Sequence, residues 1–255
     1  MSRIILFLRS LAFMLAMTVA TVIWAPLCFL AAPLPYRMRY WWTARWNVFV
    51  IWAAKAICGI RYEVKGYENL PDAPVILLSK HQSAWETIFY LMFMPRPLVY
   101  VFKKELIYLP LFGWALGLLR MIPIDRSRGK DAFAQVVAHG KRRLANGMWI
   151  IMFPEGTRIP VGEQGRYKGG GTRLAVETGA PVVPLAMNSG ECWPKNSFIK
   201  KPGVVTVSIG KPIPSAGRDA AELMLEVENW IESEMRVISP HAYPASERRA
   251  ARNHA

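Results

Sequence analysis

From about residue 60 onward, short apolar segments of strand length alternate with segments whose apolar residues are spaced as in a helix. The predicted strands cover residues 61–65, 74–79, 98–102, 121–124, 148–153, 181–187 and 204–209. The predicted helices cover residues 84–94, 106–119, 130–145, 172–178 and 219–237. This alternation predicts an α/β fold, in which a mostly parallel central sheet is flanked by helices.

Polar side chains follow four of the predicted strands, at the point where each strand ends. The sets are His81 after PVILLS, Lys103 and Lys104 after LVYVF, Asp125 and Arg126 after MIPI, and residues 154–158 after MWIIMF. Ligands of parallel sheets bind beyond the carboxyl ends of the strands. We therefore expect these residues to lie around one site.

His81 lies between a buried strand and a predicted helix, and Glu86 follows it after one turn of that helix. This spacing lets the Glu86 carboxylate reach one ring nitrogen of His81, so that the other nitrogen can accept a proton from a hydroxyl. Ser83 and Glu86 also fit a capping box, in which Glu86 only caps its own helix. Taken alone, His81 also fits a polar loop residue, and both interpretations of Glu86 stay open.

A second set of residues suits a phosphate group. Gly156 allows close backbone approach, Arg158 offers a forked cation, and Glu155 could orient Arg158 or accept a hydrogen bond from a substrate hydroxyl. The predicted phosphate-binding residues are Lys104, Arg126, Glu155, Gly156, Thr157 and Arg158. Lys168, Gly169 and Gly170 are possible additions, because amides at a helix start bind anions. A surface turn and a flexible glycine hinge are the alternatives.

Residues 10–36 form a run of 27 residues without a charged side chain, where about 20 cross a bilayer core. Pro26, Pro33 and Pro35 interrupt this run, so a straight helix should end or kink near Trp24. Residues 36–58 mix tryptophans with cations, which is typical of an interfacial helix. A spanning helix and a two-helix hairpin that dips into one leaflet both stay open. A cleaved signal peptide is disfavoured, because its apolar region is only about 7–15 residues long.

The net charge of +14 suits a polyanionic partner, and the long apolar run favours a membrane over nucleic acid. Cys28, Cys58 and Cys192 are far apart, which predicts neither a disulfide framework nor a zinc site. The sequence contains no GxSxG, Walker A or GxGxxG motif, which argues against an ordinary serine hydrolase and a nucleotide site. We therefore expect no metal and no bound cofactor.

Four motifs in order resemble the 1-acylglycerol-3-phosphate acyltransferase family over about residues 60–210. They are His81 with Glu86, KELIYLPLFG (104–113) with IDR (124–126), FPEGTR (153–158) and APVVPL (180–185). Glu86 stands where the family usually has Asp. The resemblance implies that an acyl group passes from acyl-CoA or acyl-ACP to the sn-2 hydroxyl of lysophosphatidic acid, giving phosphatidic acid without a covalent acyl-enzyme. His81 and Glu86 are then the catalytic residues.

The same resemblance implies a lysophospholipid, an acyl thioester and membrane lipids as partners, with acyl carrier protein as a further partner where it supplies the acyl group. It implies a bacterial-type inner membrane location, with the site facing the cytoplasm. The expected domains are membrane-associated helices at 1–58, a catalytic domain at 59–238 and a basic, disordered tail at 239–255. The alternatives are another lyso-lipid acceptor, such as lyso-ornithine lipid, and a non-catalytic membrane protein that binds anions.

Overall fold

The computed structural model describes residues 2–243 apart from Pro110, Arg126 and Arg128. The strands are β1 (Ile60–Lys65), β2 (Ile76–Ser79), β3 (Leu98–Lys103), β4 (Ile122–Ile124), β5 (Trp149–Met152), β6 (Val182–Met187) and β7 (Gly203–Ile209). The helices are α1 (Arg3–Leu30), α2 (Tyr36–Ala53), α3 (Trp85–Phe93), α4 (Phe112–Leu118), α5 (Gly129–Ala145), α6 (Gly170–Thr178), α7 (Ser189–Cys192) and α8 (Ala220–Ile238). A π-helical turn at Ala54–Cys58 extends α2, and 3₁₀ turns occupy Tyr67–Asn69 and Lys104–Tyr108.

The strands form one sheet in the order β1-β7-β6-β2-β5-β3-β4. All neighbouring pairs are parallel except β6 and β7, which are antiparallel. Because β1 is parallel to β7, these two strands run opposite to the other five. The carboxyl ends of β6, β2, β5, β3 and β4 therefore meet at one edge of the sheet, which confirms the predicted mostly parallel α/β fold.

Helices cover both faces of the sheet, as the contacts of β2 show. Successive side chains of a strand point to opposite faces. The Leu78 side chain packs so closely against α6 that a Cβ on Gly171 would lie 2.4 Å from Leu78 Cδ2. The next residue, Ser79, is hydrogen-bonded to Tyr90 of α3 across 2.7 Å. Every residue of β2 and β6 is buried, which explains why their sequences are almost continuously apolar.

α1 and α2 form an antiparallel hairpin, and α1 does not end near Trp24 as the prolines suggested. It continues through Pro26 to Leu30. Contacts with α2 hold this part of the helix, since Trp24 stacks on Trp42 with ring centroids 5.2 Å apart and Trp42 Nε1 donates to Leu27 O over 3.2 Å. α1 is long and apolar enough to cross a membrane by length and composition.

α1 also lies against the rest of the protein at both of its ends. Near its beginning, the Phe7 ring lies 5.3 Å from that of Phe198, and Ser10 Oγ accepts a hydrogen bond from Lys200 N at 2.9 Å. At its end, Phe29 meets Trp114 of α4 edge to face at 5.2 Å. The large apolar side chains that α1 exposes include Ile4, Leu8, Leu11, Leu15, Val19, Val22, Ile23 and Leu30.

Candidate functional site

The His81 ring lies just past the carboxyl end of β2, and its Nδ1 is fixed by a buried carboxylate. The distance from Nδ1 to Glu86 Oε1 is 2.7 Å, and the Glu86 side chain is fully buried, whereas His81 is 14% exposed. Within the described residues, His81 Nε2 has no hydrogen-bond partner. With a proton held on Nδ1 by Glu86, Nε2 carries a lone pair and can accept a proton from a hydroxyl.

The Glu86 carboxylate contacts both the His81 ring and the backbone just before α3. The N-cap of α3 is Ala84, one residue after the predicted Ser83, and it makes no side-chain cap bond. Oε1 accepts hydrogen bonds from Gln82 N at 2.6 Å and Ser83 N at 2.9 Å in addition to His81. Ser83 Oγ in turn accepts from Trp85 N at 3.0 Å. The second oxygen, Oε2, accepts a short hydrogen bond from Ser189 Oγ at the start of α7. The Glu86 side chain is one methylene longer than that of Asp, and both of its carboxylate oxygens have hydrogen-bond partners in this position.

The first residue of FPEGTR packs directly on the imidazole. Phe153 stacks on His81 with ring centroids 3.9 Å apart and an interplanar angle of 17°. Tyr100 of β3 stacks on Phe153 in turn, with ring centroids 6.0 Å apart. The ends of β2, β5 and β3 are thus joined by three rings, and the first and third sequence motifs form one site.

A buried ion-pair network holds the backbone beneath His81. The Lys80 side chain is fully buried, and its Nζ lies 2.7 Å from Glu155 Oε1 and 2.8 Å from Glu232 Oε1 of α8. The other Glu155 oxygen accepts from His81 N at 2.8 Å. Burial opposes the charged form of Lys80, but the two carboxylates outweigh it and raise the pKa of Lys80 above its ordinary value.

This network corrects the prediction for Glu155. The sequence placed Glu155 among the phosphate-binding residues, with Arg158 or a substrate hydroxyl as its partner. In the structure, both of its oxygens are occupied by Lys80 and by the His81 backbone. A buried carboxylate that is paired with a lysine repels a phosphate, so Glu155 positions the His81 backbone instead.

The chain after α8 also packs on the site. Gln82 Nε2 donates to Tyr243 Oη at 2.7 Å, and both Ser239 and Tyr243 are buried. Lys80 Nζ lies 5.9 Å from the centre of the Tyr243 ring. Residues 239–243, which the sequence assigned to the tail, therefore belong to the packed structure. The remainder of the predicted tail, 244–255, lies outside the described residues.

The glycine turn of FPEGTR lies beside Lys168. Gly156 has a φ of +68°, and a Cβ there would lie 2.9 Å from Lys168 Nζ. Lys168 N donates to Pro154 O at 2.9 Å, which brings Gly169 and Gly170 at the start of α6 to the same turn. The Arg158 side chain is half-buried and has no polar partner in the described part of the chain, and Thr157 is exposed. Lys168 and Arg158 therefore leave side-chain donors free for an anion, whereas the Gly156 N–H already donates to Phe153 O at 2.9 Å.

Lys104 and Asp125 follow the neighbouring strands β3 and β4, as the sequence predicted. Lys104 Nζ lies 3.4 Å from Asp125 Oδ2, and both groups are partly exposed. Hydrogen bonds from Ser127 are the main cause that lowers the pKa of Asp125, and Lys104 adds to it. Arg126, the second predicted cation here, lies outside the described residues.

Lys80, Ser189 and Glu232 were missed as site residues. Ser189 follows β6, whose carboxyl end lies at the same sheet edge, so the rule that found His81 could have found it. The same rule could have found Lys80, which directly follows β2. Glu232 carries no such signal, because it lies in α8 and its pairing with Lys80 joins segments that are distant in sequence. In the described parts of the chain, no group of three or more His, Cys, Asp or Glu residues could hold a metal ion.

The family profile described as Acyltransferase matches residues 61–188. The chain is 46% identical over 238 residues to a 1-acyl-sn-glycerol-3-phosphate acyltransferase of Pseudomonas aeruginosa, which covers 91% of this chain and 92% of the relative. It is 32% identical to the human 1-acyl-sn-glycerol-3-phosphate acyltransferase alpha, over 64% of this chain and 58% of the human protein. The crystal structure of the 1-acyl-sn-glycerophosphate acyltransferase PlsC from Thermotoga maritima superposes with a TM-score of 0.78 at 25% identity, covering 93% of this chain and 97% of that one.

Proposed function

The chain belongs to the acyltransferase family, and from this premise we propose that it esterifies a lysophospholipid. The reaction moves a fatty acyl group from an acyl thioester to the sn-2 hydroxyl of 1-acylglycerol-3-phosphate and yields phosphatidic acid. The observation that supports it best is the His81–Glu86 pair, which leaves Nε2 of His81 free. This pair follows β2 at the same sheet edge at which the FPEGTR turn follows β5 and Lys104 follows β3.

In the proposed mechanism, His81 Nε2 removes the proton of the acceptor hydroxyl as the oxygen attacks the thioester carbonyl carbon. The carbon–sulfur bond then breaks, and the thiol leaves with the proton that His81 returns. Glu86 stabilises the imidazolium through its 2.7 Å bond to Nδ1. General-base help of this kind contributes about 10²–10⁴-fold to the rate.

The state of two nucleophilic side chains near the site supports direct attack of the acceptor hydroxyl on the thioester, without a covalent acyl-enzyme. The Ser189 hydroxyl donates to Glu86 rather than to His81, so His81 does not activate it. Cys192 is buried, and burial raises the pKa of its thiol to about 11. At neutral pH this thiol is protonated and a poor nucleophile. The described residues thus present no activated side chain that would carry the acyl group.

The acceptor phosphate, in this proposal, binds between the FPEGTR turn and the end of β3. Lys168, which lies against the Gly156 turn, supplies an ammonium on one side, Arg158 a forked cation, and Lys104 a further ammonium. The amides of Gly169 and Gly170 at the start of α6 add donors aligned with the helix dipole. Thr157 is exposed beside them, and Arg126 remains a predicted member of this set.

The chain is membrane-associated, and we propose that the hairpin of residues 1–58 enters one leaflet instead of crossing the bilayer. α1 is about 42 Å long at the usual helical rise. Phe7 near its beginning and Phe29 at its end both contact residues of the segment 59–238, so neither end lies on the far side of a membrane. Its exposed apolar side then faces the lipid, and the site faces the cytoplasm at a bacterial inner membrane.

An acceptor panel tests the proposed function. Purified protein in phospholipid vesicles is given one acyl-CoA and equal concentrations of lysophosphatidic acid, lyso-ornithine lipid or lysophosphatidylcholine, and thiol release and ester formation are followed together. We expect the highest kcat/KM with lysophosphatidic acid. A preference for another acceptor would contradict the acceptor assignment. The absence of thiol release with every acceptor, from acyl-CoA and acyl-ACP alike, would favour the non-catalytic alternative.

Glu86→Gln separates the orienting role of Glu86 from its capping role. The amide oxygen of Gln can still accept from Gln82 N and Ser83 N, so we expect the melting temperature to change little. An uncharged amide supports the imidazolium poorly, so kcat should fall about 10²-fold while KM for the acceptor stays near the wild-type value. Glu68→Gln, an exposed glutamate in a surface turn, is the matched control. Wild-type turnover in Glu86→Gln would show that Glu86 acts only as a cap.

A further inference from the structure

A cavity lies on the other side of His81 from Lys168. Its volume is about 520 Å³, and its lining includes Gln82, Gly190, Glu191, Lys195, Lys201 and His241. Gln82 directly follows His81, and Gly190 follows the end of β6. Since β6 and β5 flank β2 on opposite sides, this cavity and the Gly156 turn flank the base from opposite sides.

The cavity is positively charged. Lys195 and Lys201 are exposed, and neither ammonium forms an ion pair within the described residues. Among the described residues, the hydrogen-bond partner of Lys195 Nζ is Arg158 O, at 2.7 Å. Glu191, a carboxylate in the lining, accepts from Ser239 Oγ and lies 3.4 Å from His241 Nε2. The two lysines are thus free to bind an anion, and Glu191 is held by other partners.

The segment 154–163 connects this cavity with the proposed acceptor site. Its Gly156 lies beside Lys168, its Ile159 N donates to His81 O at 2.7 Å, and its Arg158 O accepts from Lys195. Direct transfer requires both substrates at His81 at the same time. A lysophosphatidic acid carries a single phosphate, which the Gly156 side accommodates, so the second group of cations is left for the donor.

We propose that the Lys195–Lys201 cavity binds the phosphate groups of the acyl donor, and that this donor is an acyl-CoA. The inference rests on the proposed function. A volume of about 520 Å³ lies within the range of small-molecule and nucleotide sites, about 300–1,000 Å³. Coenzyme A carries a 3′-phosphate and a diphosphate, which match two lysines at the edge of a concave site. An acyl carrier protein would instead contact a broad outer surface, for which a cavity is not needed.

The test is the double variant Lys195→Ala/Lys201→Ala in full-length protein in vesicles. We expect KM for palmitoyl-CoA to rise at least about tenfold while kcat stays near the wild-type value. KM for lysophosphatidic acid should stay within twofold of wild type. Adenosine 3′,5′-bisphosphate should inhibit the wild type competitively with palmitoyl-CoA and lose this effect in the variant. Lys211→Ala is the control, because Lys211 is exposed beyond the carboxyl end of β7, at the opposite edge of the sheet.

Two outcomes would overturn the inference: an unchanged KM for palmitoyl-CoA, or a rise in KM for lysophosphatidic acid alone, which would assign the cavity to the acceptor. Calorimetric binding of adenosine 3′,5′-bisphosphate separates this failure from that of the proposed function. A wild-type protein that binds this probe through the two lysines yet releases no thiol would contradict the proposed reaction but support the site. A wild-type protein that turns over substrate but does not bind the probe would contradict the site alone.

Discussion

Purified His81→Ala is expected to lose acyl transfer by about 10²–10⁴-fold, the usual contribution of a general base. Its melting temperature should stay close to that of the wild type. The His81 ring contributes a stack on Phe153 and one bond to Glu86, and it is partly exposed. The alanine retains the backbone N–H that donates to Glu155, so the Lys80 network beneath it persists.

Initial rates of thiol release and thermal unfolding, measured on the same preparation, check this prediction. His139→Ala is the control, since His139 lies on α5 and its ring contacts Arg142 rather than any residue near Glu86. The control should retain wild-type kcat. If His81→Ala also kept near-wild-type kcat, His81 would not be the base and the mechanism would be wrong.

Local pattern was sufficient to predict the fold and much of the site. The alternation of strands and helices sets the sheet, and once the strands are parallel, their carboxyl ends must meet at one edge. His81 and the FPEGTR turn follow β2 and β5, which are paired neighbours in the sheet. Glu86 is only one helical turn from His81, so sequence spacing permitted their contact beside the capping interpretation, and the structure places Nδ1 and Oε1 2.7 Å apart.

Contacts between distant segments were not predictable in the same way. Glu155 was predicted to bind substrate because its motif is polar and contains a glycine. In the structure, its carboxylate forms an ion pair with Lys80, whose other partner, Glu232, lies in α8. Nothing in the periodicity of α8 reveals that one of its buried positions carries a paired carboxylate. Similarly, Pro26 predicts a helix end from the local sequence, but Trp42 of α2 packs on Trp24 and donates to Leu27 O, which holds α1 on both sides of the proline.

Lys80→Met should be the most destabilising single change at the site. It removes the cation between Glu155 and Glu232 and leaves two carboxylates buried without compensation. Breaking a buried pair in this way costs about 3–5 kcal/mol of unfolding free energy, and each kcal/mol lowers the melting temperature of a protein of this size by about 2–4 °C. Activity should fall as well, because Glu155 also fixes the His81 backbone. Chemical denaturation and kcat of the surviving folded protein measure the two effects.

The pH dependence and a compensated variant distinguish lost charge balance from lost packing. Burial raises the pKa of Glu155 even in the wild type, although Lys80 opposes this shift, and removal of Lys80 raises it further. A carboxylate whose folded pKa lies above its unfolded value destabilises the protein above the unfolded pKa, and this loss shrinks as pH falls. The stability gap between Lys80→Met and wild type should therefore narrow from pH 8 to pH 5. Lys80→Met/Glu155→Gln/Glu232→Gln should recover much of the stability at pH 8. A gap that is independent of pH and is not narrowed in the triple variant would show that Lys80 acts through its packing rather than its charge.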